Sequence, residues 1–254
     1  MAGPLPHSTQ IQKLGEIFLN EVADEISKAQ SKLKKSAEFR RIYRISLAAD
    51  AVLSRLLRLS RRPPPHAARS IVKGVPLLVC ARQLGPARIE LRRFMELVVW
   101  EVYFREHPVE WEKFSSNPTH GFTRDEKDPI EYCAHRELEY YLNYAKSRVA
   151  DEPSKVAGPA VEELRLLKGR LNEAVHPGAG AGTTGRVTPL DAIEEPTLRE
   201  FSDLQRSVFK NACIVIASVR RNAFDRLPAM HRAHFDWLVG DQLAKRIRSG
   251  PFGL

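Results

Sequence analysis

Arg170 and His176 stand six positions apart in the stretch RLNEAVHPG, residues 170–178, where a helical pattern runs into Pro177 and a run of glycines. A guanidinium can hold a phosphate through its planar fork of donors, and an imidazole titrates near neutral pH and can move a proton. Together they can form the working pair of a metal-independent ribonuclease. They can equally be ordinary members of a helix that ends there, with His176 favoured by the negative end of the helix dipole when protonated. Spacing alone does not decide between these. With 27 arginines and 8 histidines, pairs separated by four to six residues arise roughly 2.5 times by chance. Three occur: Arg170/His176, Arg61/His66 and Arg226/His231.

Context separates the three. Arg61/His66 encloses three prolines, and Arg226/His231 encloses Pro228 near a helix start. Only Arg170/His176 sits at the end of an amphipathic helix, expected over 159–175, whose seam Leu164, Leu167, Leu171 and Val175 should face a core. In an unbroken helix His176 would point about 120° away from Arg170 and lie about 9 Å along the axis. His176 precedes Pro177, however, and a residue before proline is biased out of α geometry, so the helix does not fix its direction. Arg165, Asn172 and His176 would share one face if the helix continued. Asn172 could then hydrogen-bond His176 at i, i+4 and fasten the Gly-rich stretch that follows.

Helical periodicity runs through almost the whole chain, with no alternating β pattern, internal repeat or heptad run. The expectation is an all-α, multi-helix bundle with a long buried central helix. Ser8 or Thr9 can cap a first helix carrying Ile11, Leu14, Phe18, Val22 and Ile26 on one side. A second is expected over about 38–61, ended by RRPPPH (61–66). A short segment, SIVKGVPLLVCARQ, leads to a turn at Gly85-Pro86. Further helices are expected over about 87–106, 129–149, 159–175, 196–224 and 230–248, with loops at 115–129 and 177–195. The organisation reads as an N-terminal helical hairpin, 8–62, and a bundle, 69–248, packed as one unit.

Two of these helices carry further information. In the second, Arg41, Arg44, Arg55 and Arg58 fall within an arc of about 100°, opposite Phe39, Ile42, Ile45, Val52, Leu53, Leu56 and Leu57, with Leu47 the exception. Such an arginine stripe can be a solvated face or a phosphate-binding one. In 87–106 the only charges between Phe94 and Phe104 are Glu96 and Glu101, so this helix belongs in the middle of the bundle. Arg92 and Arg105, each four residues away, are the expected ion-pair partners of those carboxylates.

A net charge of +9 and a pI near 9.6 favour an anionic partner, nucleic acid first. The longest apolar runs, such as ACIVIASV (212–219), fall short of the roughly 18 residues a membrane span needs. MAGPLPHSTQ has neither a basic n-region nor an apolar h-region, so no secretory signal is expected there. Cys80, Cys133 and Cys213 are odd in number and lack C-x-x-C spacing; they read as small apolar residues in a reducing, cytoplasmic setting. P-loop, H-E-x-x-H and G-x-S-x-G patterns are missing, and EWEK (110–113) and DEKD (125–128) read as surface charge, so neither a metal nor a cofactor is expected. Tyr132, Tyr140, Tyr141 and Tyr144 can stack on bases or pack against a neighbouring helix.

The chain resembles the HEPN superfamily of small helical bundles over roughly residues 87–245. The likeness lies in a long apolar helix followed by HPVEW, then a helix pair, then LLKGRLNEAVHPG at a helix end. Catalytic members carry Arg and His separated by four to six residues, matched here by Arg170 and His176. The resemblance implies metal-free RNA cleavage by a toxin or phage-defence effector, with the site assembled from two copies in a dimer. A polar residue commonly follows the family's Arg; here it is Leu171, and Asn172 stands one place later. Non-catalytic nucleic-acid-binding and adaptor members share the fold and form the alternative. Catalysis would rest on Arg170 and His176 with Asn172 and Arg165 in support, and binding on Arg41, Arg44, Arg55 and Arg58.

Overall fold

The computed structural model describes residues 35–57, 63–110, 138–150, 155–175 and 194–248, together with Ser27, Ser31 and Glu112. The expected first helix with Ile11 to Ile26, the loops at 115–129 and 177–193, and Arg58, Tyr132, Cys133 and His176 lie outside the described residues. Those that are described are overwhelmingly helical and contain no strand. The fold is all-α.

Ser36 starts α1 (Ala37–Leu56), its hydroxyl accepting the Phe39 N–H at 3.0 Å, and Glu38 in the first turn answers the helix dipole. The apolar arc Ile42, Ile45, Val52, Leu53 and Leu56 is buried as the periodicity requires, and Leu47 is 51% exposed. After it, α2 (Pro63–Cys80) corrects the expectation of a short segment. The prolines of RRPPPH begin this helix, because the first-turn N–H groups that proline lacks have no intrahelical acceptor to lose. Ala68, Ile71, Val72, Val75 and Val79 repeat at helical spacing and are buried.

Next, α3 (Leu84–Glu106) begins three residues earlier than expected, so Gly85-Pro86 lies in its first turn. It packs against α2, against α4 (Leu138–Arg148), against α5 (Ala157–Val175) and against α6 (Glu195–Val219), the central position its apolar surface demands. The other central helix is α6, which contacts α1, α3, α5 and α8. Between them the rings of Phe94 and Phe209 meet edge to face at 4.8 Å.

Two expected helices are each split. The one expected over 196–224 breaks at Arg220 into α6 and α7 (Arg221–Asp225). Arg220 is only 8% exposed; its guanidinium turns inward to Glu101 at 3.5 Å and donates to the Leu56 carbonyl. The one expected over 230–248 breaks at Gly240 into α8 (Ala229–Val239) and α9 (Asp241–Arg248). Gly240 has φ of 98°, which glycine adopts without steric cost. One hydrophobic cluster extends from Ile42 to Ile247, so α1 shares its core with the rest of the bundle. No helix among the described residues is long and apolar enough to cross a membrane. Cys213 is buried in this core, and burial pushes its thiol up to about 12, which leaves it an inert packing residue.

Candidate functional site

The seam of α5 faces the core as expected: Leu164, Leu167 and Leu171 are buried. One step round the helix, Arg170 is exposed and makes no ion pair, hydrogen bond or ring contact among the described residues. Its neighbours differ. Arg165 is held by Glu139 at 2.6 Å, by Glu162, and by the Asn143 side chain at 2.7 Å. Lys168 reaches Glu139 at 3.8 Å, and Lys146 reaches Glu162 at 2.5 Å. Burial opposes the charge on Arg165, but its hydrogen bonds and charges with Glu162 and Glu139 hold its pKa above the ordinary value. These pairs run antiparallel, clamping α4 to α5. Arg165 therefore contributes stiffness to the helix that carries Arg170. Asn172 is half-buried, and its Oδ1 is buried with no hydrogen-bond partner.

Each described arginine of the stripe on α1 meets a neighbouring helix, and Arg44 and Arg55 remain exposed. Arg41 donates to Asp203 at 2.5 Å, to Ser202 at 3.0 Å and to Glu38 at 3.3 Å, joining α1 to α6. Burial pushes Glu38 up, yet hydrogen bonds from Ser202, Arg41 and Arg199 hold it below the usual carboxylate value. Arg44 lies over the Trp237 ring at 4.6 Å and Arg55 Nε donates to His231 Nε2 at 3.3 Å, both on α8. The face opposite the apolar arc thus touches α6 and α8, while Arg44 and Arg55 stay exposed to solvent. The sequence pattern located these arginines but had no means of showing that other helices would meet them.

His231, 8% exposed, must be neutral to accept from Arg55. Burial lowers its pKa first, and the nearby Arg55 and His234 lower it further from 6.5. The unfolded chain then binds more protons between the lowered value and 6.5, so this histidine adds stability that is present above 6.5 and lost as pH falls towards the lowered value. Urea midpoints of wild type and His231→Gln should therefore converge on acidification from about pH 8 to about pH 5. Parallel midpoints at all pH values would refute this.

Of the two carboxylates on α3, Glu96 takes the expected partner, Arg92, at 2.9 Å. Glu101 does not pair with Arg105, which is exposed; it pairs with Arg220, at the break between α6 and α7. At 4% exposure a carboxylate needs a partner that is also desolvated, and Arg105 projects into water.

A second cluster joins the tyrosines of the sequence pattern to Tyr103, Glu106 and His107, which that pattern did not single out. Tyr140, Tyr141 and Tyr144 pack around Tyr103 of α3 with ring centroids 4.9–5.6 Å apart, so the tyrosine series serves helix packing. His107, at the end of α3, stacks on Tyr103 at 4.1 Å and donates from Nδ1 to its carbonyl at 2.9 Å. A carbonyl only accepts, which places a proton on Nδ1. Nearby, Glu106 accepts from Tyr144 at 2.6 Å and from Arg148 at 2.7 Å, and burial, then the Glu106 contact, pushes Tyr144 up to about 12. The His107-Pro108 pair was visible only as a helix stop. Arg170 makes no hydrogen bond, ion pair or ring contact with this cluster. Among the described residues no group of His, Cys, Asp and Glu is arranged to hold a metal ion.

No family model, curated protein or solved structure matches the chain.

Proposed function

We propose that the protein is a metal-independent, RNA-cleaving enzyme of HEPN type, acting as a toxin or phage-defence effector. The observation that carries this is Arg170: an exposed guanidinium without a partner among the described residues, beside basic neighbours that are ion-paired. An unpaired guanidinium on a stiff helix is ready to bind a phosphodiester, and a chain of net charge +9 draws RNA towards it. In the reaction the ribose 2′-OH attacks the adjacent phosphorus. The O2′–P bond forms and the P–O5′ bond breaks. His176 takes the 2′ proton or delivers one to the departing O5′, and Arg170 stabilises the charge that grows on the phosphoryl oxygens. Two copies of the chain bring their pairs together at one substrate.

The test is incubation of the purified protein with single-stranded RNA in EDTA. Cleavage is expected, with a 2′,3′-cyclic phosphate on one product and a 5′-hydroxyl on the other. His176→Ala should abolish it while the circular dichroism of the bundle is kept. RNA left intact by the wild type overturns the enzyme. Salt-dependent binding of RNA without cleavage would instead favour the alternative, a nucleic-acid-binding or adaptor module of the same fold.

A further inference from the structure

A groove of about 590 Å³ runs along the α2/α3 pair. Ala67, Ser70, Gly74 and Leu77, spaced three or four residues apart on α2, form one wall, and Glu90 and Arg93 of α3 lie on the other. Apart from Ser70, Glu90 and Arg93 its lining is apolar. Leu77 stands 71% exposed at this groove, and Ile89, next to Glu90, is exposed as well. One exposed leucine is ordinary, but an exposed leucine beside an apolar groove marks a surface that another molecule covers.

The shape and charge of this face narrow what covers it. Gly74 sits inside α2, where glycine is a poorer helix former than alanine, yet a Cβ there would meet no atom within 4 Å. Packing within the subunit therefore does not call for glycine; a close approach from outside does. Three residues on, Leu77 projects from the same helix. A knob and a gap on one surface fit each other when that surface meets its own copy about a two-fold axis, because every contact then occurs twice. The charges obey the same rule. Glu90 and Arg93 lie 3.8 Å apart, with the Arg93 side chain 64% exposed, so a second copy offers each a further partner of opposite sign. The two charges cancel, although the whole chain carries +9, so the groove suits a polyanion poorly.

We propose that the α2/α3 groove is the interface of a homodimer, with Leu77 of each copy seated beside Gly74 of the other and Glu90 of each paired with Arg93 of the other. The contact is read from α2 and α3 and does not depend on Arg170 or on RNA cleavage. Sedimentation equilibrium of the full chain over a series of concentrations tests it. The wild type should be a dimer. Arg93→Glu and Glu90→Arg should each weaken it by about tenfold or more, since like charges then face each other. An equimolar mixture of these two variants should dimerise again, because each supplies the sign the other lacks. Leu77→Asp should give a monomer whose circular dichroism is that of the wild type. Gly74→Leu should weaken the dimer without lowering the melting temperature of the monomer, since the subunit has room for the side chain. A wild type that is monomeric at every concentration overturns the interface, as does a dimer that survives Leu77→Asp and both charge reversals. Failure of the mixed variants to pair overturns the Glu90–Arg93 contact.

Discussion

Replacing Arg170 with alanine is expected to slow RNA cleavage by about 10²–10³-fold, the usual loss when one preorganised donor to a transition-state oxyanion is removed. The melting temperature should stay where it is, because the exposed side chain touches no described residue whose packing it could release. Arg170→Lys keeps the charge and loses the two-pronged geometry, so it should recover part of the rate and no more. Arg165→Ala should show the opposite pattern. That side chain joins Glu139, Glu162 and Asn143, so its loss should lower stability and affect cleavage only through the looser α5. Single-turnover rates and thermal melts on the same preparations separate the two. An Arg170→Ala protein as fast as wild type removes Arg170 from the chemistry.

The largest effect on stability should come from Arg220→Ala, at about 3–5 kcal/mol in chemical denaturation. Arg220 and Glu101 are 8% and 4% exposed and lie 3.5 Å apart. Burial lowers the pKa of Arg220, and the opposing charge of Glu101 keeps it charged; Arg105 adds a smaller lowering. Truncation takes the Arg220 charge away from a buried carboxylate and also deprives the Leu56 carbonyl, at the end of α1, of its donor. The double variant Arg220→Met/Glu101→Leu should regain much of that loss, since two apolar side chains carry no desolvation cost. A single variant costing under about 1 kcal/mol would mean that water reaches the pair.

The second variant pair also shows what kind of knowledge each level supplies. Apolar spacing depends only on the helix period, so Ile42, Ile45, Val52, Leu53 and Leu56 on α1 and Leu164, Leu167 and Leu171 on α5 could be assigned to buried faces before any coordinates. The same holds for the central place of α3, whose stretch from Phe94 to Phe104 is apolar on nearly every side. Proline and glycine were harder to read. Pro63–Pro65 suit a helix start as well as a helix stop, and Gly240 marks a break only because α8 and α9 turn apart there.

By itself, then, the chain determined an all-α bundle, its inner faces, its basic balance, and the position of Arg170 beside a core-facing seam. Which polar groups remain free was decided by tertiary structure. Arg41, Arg44 and Arg55 formed a stripe in sequence, and α6 and α8 bring each of them a partner in Asp203, Trp237 and His231. Glu101 found its partner not four residues away but in Arg220, at the break between α6 and α7. Gly74 and Leu77 of α2 and Arg93 of α3 share no sequence pattern and meet only along one groove. The physical reason is common to all of these. Hydrophobic periodicity is a local consequence of backbone geometry, whereas a charge is satisfied by whatever side chain packing brings within reach.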